Sequence, residues 1–246
     1  MKEMTSINID KWRTLNIDLF KGYIQTYKKL SEDKTLDPAQ TLVNEFEAIG
    51  IKGYLTTDGY GTAYTIAREI GIYYQNDDEY VLSNMSKVFI KGELTYSDFL
   101  KYYCLNIEFL INNEIVHPFE QIIECLKNNS FDKEEISKRV TKLIPSPDSS
   151  SAKDCLRLFL NRAVEAQLLK KTGNKYSLAY NYNILKGSIN KSSYSIPDFE
   201  NTFIRGNQSI AQKNIVKKLL EREIPNLFES SFTIKSKKTE ITPETE

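Results

Sequence analysis

PFEQIIECLKNNSFDKEEISKRV (118–140) and SSSAKDCLRLFLNRAVEAQLLKKTGNKYSLAYN (149–181) carry the pattern that decides the expected fold. Phe119, Ile122, Ile123 and Leu126 recur at i, i+3, i+4 and i+7, which gathers apolar side chains on one side of a helix. Ser130 or Asp132 can accept from the free backbone N–H groups that open a second helix, and Pro145 and Pro147 stop it. Ser149 to Ser151 cap a third helix, expected from Ala152 through Lys171. Two alternating runs then flank Thr172-Gly173-Asn174, residues whose Gly and Asn tolerate the positive φ of a tight hairpin.

Helix, helix, helix, hairpin is the order of a winged helix, a variant of helix-turn-helix. The same order occurs upstream. An amphipathic helix or helix pair is expected over Ile7–Leu30, with Trp12, Leu15, Leu19, Tyr23 and Tyr27 along one side. Leu42, Phe46 and Ile49 mark a helix after Pro38 that Gly50 stops; GTAYTIAREIG (61–71) is the next, followed by a hairpin over IYYQNDDEYVLS (72–83). Helices continue at 84–92 and 95–112. Past Tyr182 the chain reads as a Ser- and Asn-rich linker, a helix at 208–223 and a disordered tail. The expected fold is mainly α with small β-hairpins (α+β): two winged-helix units joined by helices. Its segments are 1–37 (helical), 38–117 (first unit plus linking helices), 118–183 (second unit) and 184–246 (linker, helix and tail).

Charge separates the two halves. Residues 1–123 hold 12 Lys+Arg against 18 Asp+Glu, and residues 124–246 hold 21 against 15, so a net charge of zero conceals −6 and +6. From Arg157 to Lys191 there are seven cations and one acid, Glu165. A phosphate-contacting surface requires such a concentration, and a solvated lysine-rich surface is the plainer alternative. Lys153, Arg157 and Asn161 stand at i, i+4 and i+8 and share a helix face. Arg pairs with guanine edges and Asn with adenine edges, which makes this helix the candidate reader. The DNA-binding set is Lys153, Arg157, Asn161, Arg162, Lys170, Lys171, Asn174 and Lys175, with double-stranded DNA as partner. The first hairpin instead carries Asp77, Asp78 and Glu79, which phosphates repel, so the first unit is expected to be scaffold or protein contact.

No catalytic residue is assigned. His117 is the lone histidine, which removes His pairs and multi-His metal sites, and no GxxxxGKS loop occurs. Restriction-type nucleases need carboxylates to hold Mg²⁺ and a Lys to polarise the phosphate. Asp18 with Glu32-Asp33-Lys34 fits the letters but falls in a polar linker. No cofactor is expected, and Mg²⁺ only if the chain is a nuclease. Cys104, Cys125 and Cys155 fit no zinc or CxxC spacing and are expected as reduced, buried thiols. With no apolar run of membrane-spanning length and no signal-peptide core in MKEMTSINIDKW, a cytoplasmic protein without a membrane partner is expected.

The run from Ala67 to Leu126 resembles the winged-helix recognition modules of type IIS and related restriction endonucleases. The features that carry the resemblance are Ile70-Gly71-Ile72, Leu82-Ser83, Gly92-Glu93-Leu94-Thr95-Tyr96 and His117-Pro118-Phe119. It implies recognition of double-stranded DNA in a restriction or phage-defence setting. Such enzymes carry a nuclease domain, and none is recognised here. The chain therefore fits a recognition subunit with a nuclease partner, part of a type II enzyme, or the same scaffold used as an assembly subunit or homodimer.

Overall fold

The computed structural model describes residues 15–51, 66–67, 70–76, 78–107, 109–111, 114–140 and 150–189. The fold is α+β, mainly helical with small antiparallel sheets. Trp12, most of the helix expected at 61–71, the helix expected at 208–223 and the tail lie outside the described residues. No described helix is long and apolar enough to cross a membrane.

Helix α1 (Ile17–Glu32) starts where Asn16 Oδ1 accepts the Leu19 N–H at 2.9 Å, and it buries Leu19, Phe20, Tyr23, Ile24, Tyr27 and Leu30. Helix α2 (Pro38–Ala48) has Pro at its first position and Asp37 as its cap, and packs on α1. The two helices approach closely at Gly22, where a Cβ would lie 2.9 Å from Phe46 Cε2 and 3.0 Å from Ile49 Cδ1. A larger side chain there must displace a buried ring. Gly22→Val is therefore expected to lower stability by about 1–3 kcal/mol in urea denaturation, although valine is the better helix former.

The first ribbon, β1 (Tyr73–Asn76) and β2 (Glu79–Leu82), precedes α3 (Asn84–Ile90) and α4 (Tyr96–Asn106). Ser83 caps α3, and Thr95 with Asp98 forms a reciprocal capping box on α4. The helix expected through residue 112 ends at Asn106, and a hairpin follows, β3 (Phe109–Ile111) with β4 (Glu114–Val116). An apolar run this short suits strand or helix equally, so helical periodicity over-extends into it.

The second unit begins at α5 (Pro118–Leu126), capped by the lone histidine. His117 Nδ1 accepts the Glu120 N–H at 3.3 Å, and Nε2 donates to the Leu105 carbonyl at 3.0 Å. The single His thus joins the end of α4 to the start of α5. After β5 (Phe131–Asp132) comes α6 (Lys133–Arg139), where Asp132 and Glu135 form a second capping box. Helix α7 (Ser150–Glu165) leads to the ribbon β6 (Leu169–Thr172) and β7 (Lys175–Leu178). Strand β5 adds to this ribbon through Phe131↔Tyr176 and Asp132↔Lys175, giving the order β5-β7-β6. Expected to run to Lys171, α7 stops at Glu165 because Gln167 turns left-handed (φ 59) and sends the chain into β6.

Both ribbons are built by the same backbone hydrogen bonds, offset by 96 residues from Ile72 to Leu168. Ile72 N–H donates to Ala67 O and Leu168 N–H to Ala163 O, each at 2.9 Å, closing a helix over a left-handed residue, Gly71 (φ 84) or Gln167. Ile72 O then accepts from Ser83 and Leu168 O from Ala179, at 3.1 and 3.0 Å. Each ribbon has a two-residue loop, after Asn76 and after Thr172, and a capped helix follows each. The helix after the second ribbon, α8 (Tyr182–Ser188), packs on α5. Residues 184–188, which read as the start of a linker, are part of this helix.

Candidate nucleic-acid interface

The second ribbon projects beyond the core. Leu169 and Tyr176 are buried, while Lys170, Lys171, Thr172, Gly173, Asn174 and Lys175 are all exposed. Gly173 (φ 61) takes the first loop position, where a two-residue hairpin of this kind needs positive φ. Lys171 and Tyr176 are cross-strand partners, with the ammonium 5.4 Å from the ring centroid. Phe131 flanks Tyr176 on β5, and the Arg139 guanidinium lies 4.3 Å over the Phe131 ring. The row Lys171–Tyr176–Phe131–Arg139 thus places an aromatic pair between two exposed cations. Arg139 escaped the sequence reading because Phe131-Asp132 is too short to alternate visibly.

On α7, Leu156, Phe159, Leu160 and Ala163 face the core, while Arg157 is exposed and Asn161 half-buried one turn later. Lys153 lies on the same helix one turn before Arg157, and its side chain is outside the described set. Arg162 corrects the sequence reading. It is 3% exposed, and its guanidinium sits 5.6 Å over the Tyr103 ring of α4. Five residues past Arg157 turns a side chain about 140° around a helix, onto the buried side. It does not belong to an outward DNA-contacting face.

The first ribbon has the opposite character. Tyr73 stacks on Tyr27 of α1 with centroids 3.7 Å apart and planes 13° from parallel, and Tyr80 tilts against both at 5.4 and 5.7 Å. At its tip Asp78 and Glu79 are exposed, and Glu79 pairs with Lys34. Aromatic stacking pins this ribbon to α1, and its tip carries exposed carboxylates.

The nuclease-like letters do not come together. Asp18 sits in the first turn of α1 and Glu32 at its last residue, about 21 Å apart along the axis. Asp33 accepts from Thr35, and Lys34 is engaged by Glu79. Among the described residues no group of three or more His, Cys, Asp and Glu gathers to hold a metal. Burial pushes the Cys104 thiol up to about 12, which makes it inert; Cys125 is half-buried.

Helix α8 buries Leu185 and Ser188, and at its surface one carboxylate of α5 ties it down. Glu124 accepts from Lys186 and from the Tyr182 hydroxyl (2.5 Å), and the Lys127 ammonium lies 4.6 Å over the Tyr182 ring. The Lys186 hydrogen bond, then that of Tyr182, holds the Glu124 carboxyl below its ordinary 4.5; the Glu124 hydrogen bond holds Lys186 above its ordinary 10.5. A depressed acid stabilises above its unfolded pKa and loses that on acidification, and a raised base does the reverse. The pair is solvent-exposed and its contribution small, so amide protection of α8 is expected to be highest between those values and to fall only slightly below about pH 4.5 and above about pH 10.5, with buried Leu185 keeping the helix in place. Hydrogen exchange across that range checks it.

No protein-family model matches the chain, and no curated protein matches it. It is similar to the binding domain of the BpuJ1 endonuclease, solved in complex with pyrene- and phenanthrene-modified DNA. The TM-score is 0.55 at 15% identity, over 81% of this chain and 95% of that one. At that identity the likeness is one of fold.

Proposed function

We propose that this chain is a double-stranded DNA-recognition module of the restriction-endonuclease kind, in a restriction or phage-defence setting. Residues 118–189 form its DNA-contacting winged helix. The observation that carries the reading is the exposed trio Lys170, Lys171 and Lys175 on a projecting ribbon, beside a helix that turns Arg157 outward. The likeness in fold to an endonuclease binding domain solved with DNA supports it. In this reading α7 enters the major groove, the ribbon holds phosphates, and the first unit is scaffold. Arg157→Ala should relax sequence preference, whereas Lys171→Ala should weaken all sequences alike and reduce the salt slope by about one contact. An electrophoretic shift of random duplex at two salt concentrations, with and without Mg²⁺, tests the whole. Retention that falls steeply with salt and ignores Mg²⁺ is expected; retention flat with salt overturns the reading. Mg²⁺-dependent cleavage lost on Glu32→Ala or Lys34→Ala would move the chain to the nucleases.

A second reading has one observation in its favour, the opposite charge of the two ribbons. Acidic Asp78 and Glu79 on one unit could meet the lysines of another copy head to tail. It predicts no duplex shift and a salt-sensitive dimer on sizing.

A further inference from the structure

Helix α4 lies between the two ribbon units in the chain and grips α7 at two levels. Near its start the Tyr96 hydroxyl donates to Glu165 Oε2 at 2.8 Å, across 69 residues of sequence. Two turns on, Tyr103 carries the Arg162 guanidinium on its face, and its ring lies 6.3 Å from Phe159 of α7. Tyr96 is itself held from the N-terminal helix, 5.1 Å from the Phe20 ring of α1. Burial, then the hydrogen bond and charge of Glu165, hold the Tyr96 phenol far above the ordinary range, so it stays a donor at any working pH. A buried guanidinium is a poor source of stability where a methionine could pack instead, and its best-attested use is to fix one register among several. An apolar contact between α4 and α7 would tolerate small rotations that a hydrogen bond and a cation over a ring do not.

We infer that Arg162, Glu165 and Tyr96 set the rotation of α7 against α4, so that Arg162 is a positioning residue for sequence discrimination and not a contact to DNA. The inference rests on the DNA-recognition reading. It follows from Arg162 and the outward Arg157 sharing one helix: turning the inner side turns the outer. A bidentate base contact discriminates only while its geometry holds, and losing that geometry costs about tenfold or more in preference. Phosphate contacts on flexible lysines survive a small rotation.

The test uses the full chain. Wild-type protein selects a preferred duplex from a random pool, and affinity is measured for that duplex and a scrambled one over a range of salt. For Arg162→Met and Tyr96→Phe the expected result is a preference reduced about tenfold or more with the salt slope unchanged. Arg162→Lys, which keeps the cation, should restore most of it. Should Arg162→Met fail to fold, Tyr96→Phe, which removes one hydroxyl, carries the same test. Unchanged preference in the folded variants overturns the inference alone. So does an equal loss on both duplexes with a slope lower by about one, the mark of a direct phosphate contact. If the wild-type chain retains no duplex at any salt, the recognition reading itself falls and the inference with it.

Discussion

Replacing Lys170, Lys171 and Lys175 together by alanine is expected to weaken duplex binding by about 10²- to 10³-fold at about 0.1 M salt. Each phosphate neutralised contributes a slope of about 0.9 in log K against log salt, so three lost contacts remove nearly three decades there and flatten the plot by about 2.7. The ribbon itself should persist. All three side chains are exposed, and its register depends on Gly173, the Tyr176–Phe131 pair and backbone bonds that alanine keeps. Circular dichroism and an unchanged urea midpoint would establish that the loss is one of binding. Neutralising the first ribbon at Asp78 and Glu79 is the control: it should leave affinity unchanged or raise it slightly, because those carboxylates repel the polyanion.

Phe20→Ala carries the largest expected stability effect, about 3–5 kcal/mol. Phe20 is fully buried on α1 and meets Phe89 of α3 edge-on at 5.0 Å, Phe99 of α4 at 4.8 Å and Tyr96 at 5.1 Å. The substitution opens a cavity where three helices converge and forfeits the edge-to-face contacts as well. A domain is stabilised by only about 5–15 kcal/mol, so the loss consumes a large share of it. The urea midpoint reads it, and Phe20→Leu should recover more than half. Since Tyr96 leans on Phe20 and holds Glu165, sequence preference should decline in Phe20→Ala even under conditions where it remains folded.

The second unit was largely legible because its signals are local. The spacing from Phe119 to Leu126 and the Gly173 turn act within a few residues and stand where expected, and of the two candidate caps, Ser130 and Asp132, the second opens the helix. Elements decided by tertiary pairing were not. Strand β5 is two residues long, so nothing in Phe131-Asp132 alternates, and only its pairing with β7 makes it a strand. The run from Ile107 to Val116 holds apolar and β-branched residues that suit either structure, so the helix expected through residue 112 ends at Asn106. Helix α8 announces itself only by the Asn181 cap; the Glu124–Lys186 pairing that seats it spans 62 residues. Arg162 is a different case. Its place away from Arg157 follows from helical spacing, whereas its charge groups it with the neighbouring cations in the sequence. The acidic charge of the first ribbon was plain in the sequence, whereas its attachment to α1 through Tyr27 and Tyr73 depends on two residues 46 apart.

Of the acidic ribbon β1–β2 and the basic ribbon β6–β7, it is the basic one, together with the helix before it, that is proposed to meet the duplex. Amide hydrogen exchange with and without a random duplex at low salt tests this most directly, since it reports on both ribbons in one experiment. Added protection is expected over 157–176, centred on Lys170–Lys175, with 73–82 unchanged. Protection appearing on 73–82 while 169–178 stays unaltered, or on neither ribbon, would contradict it.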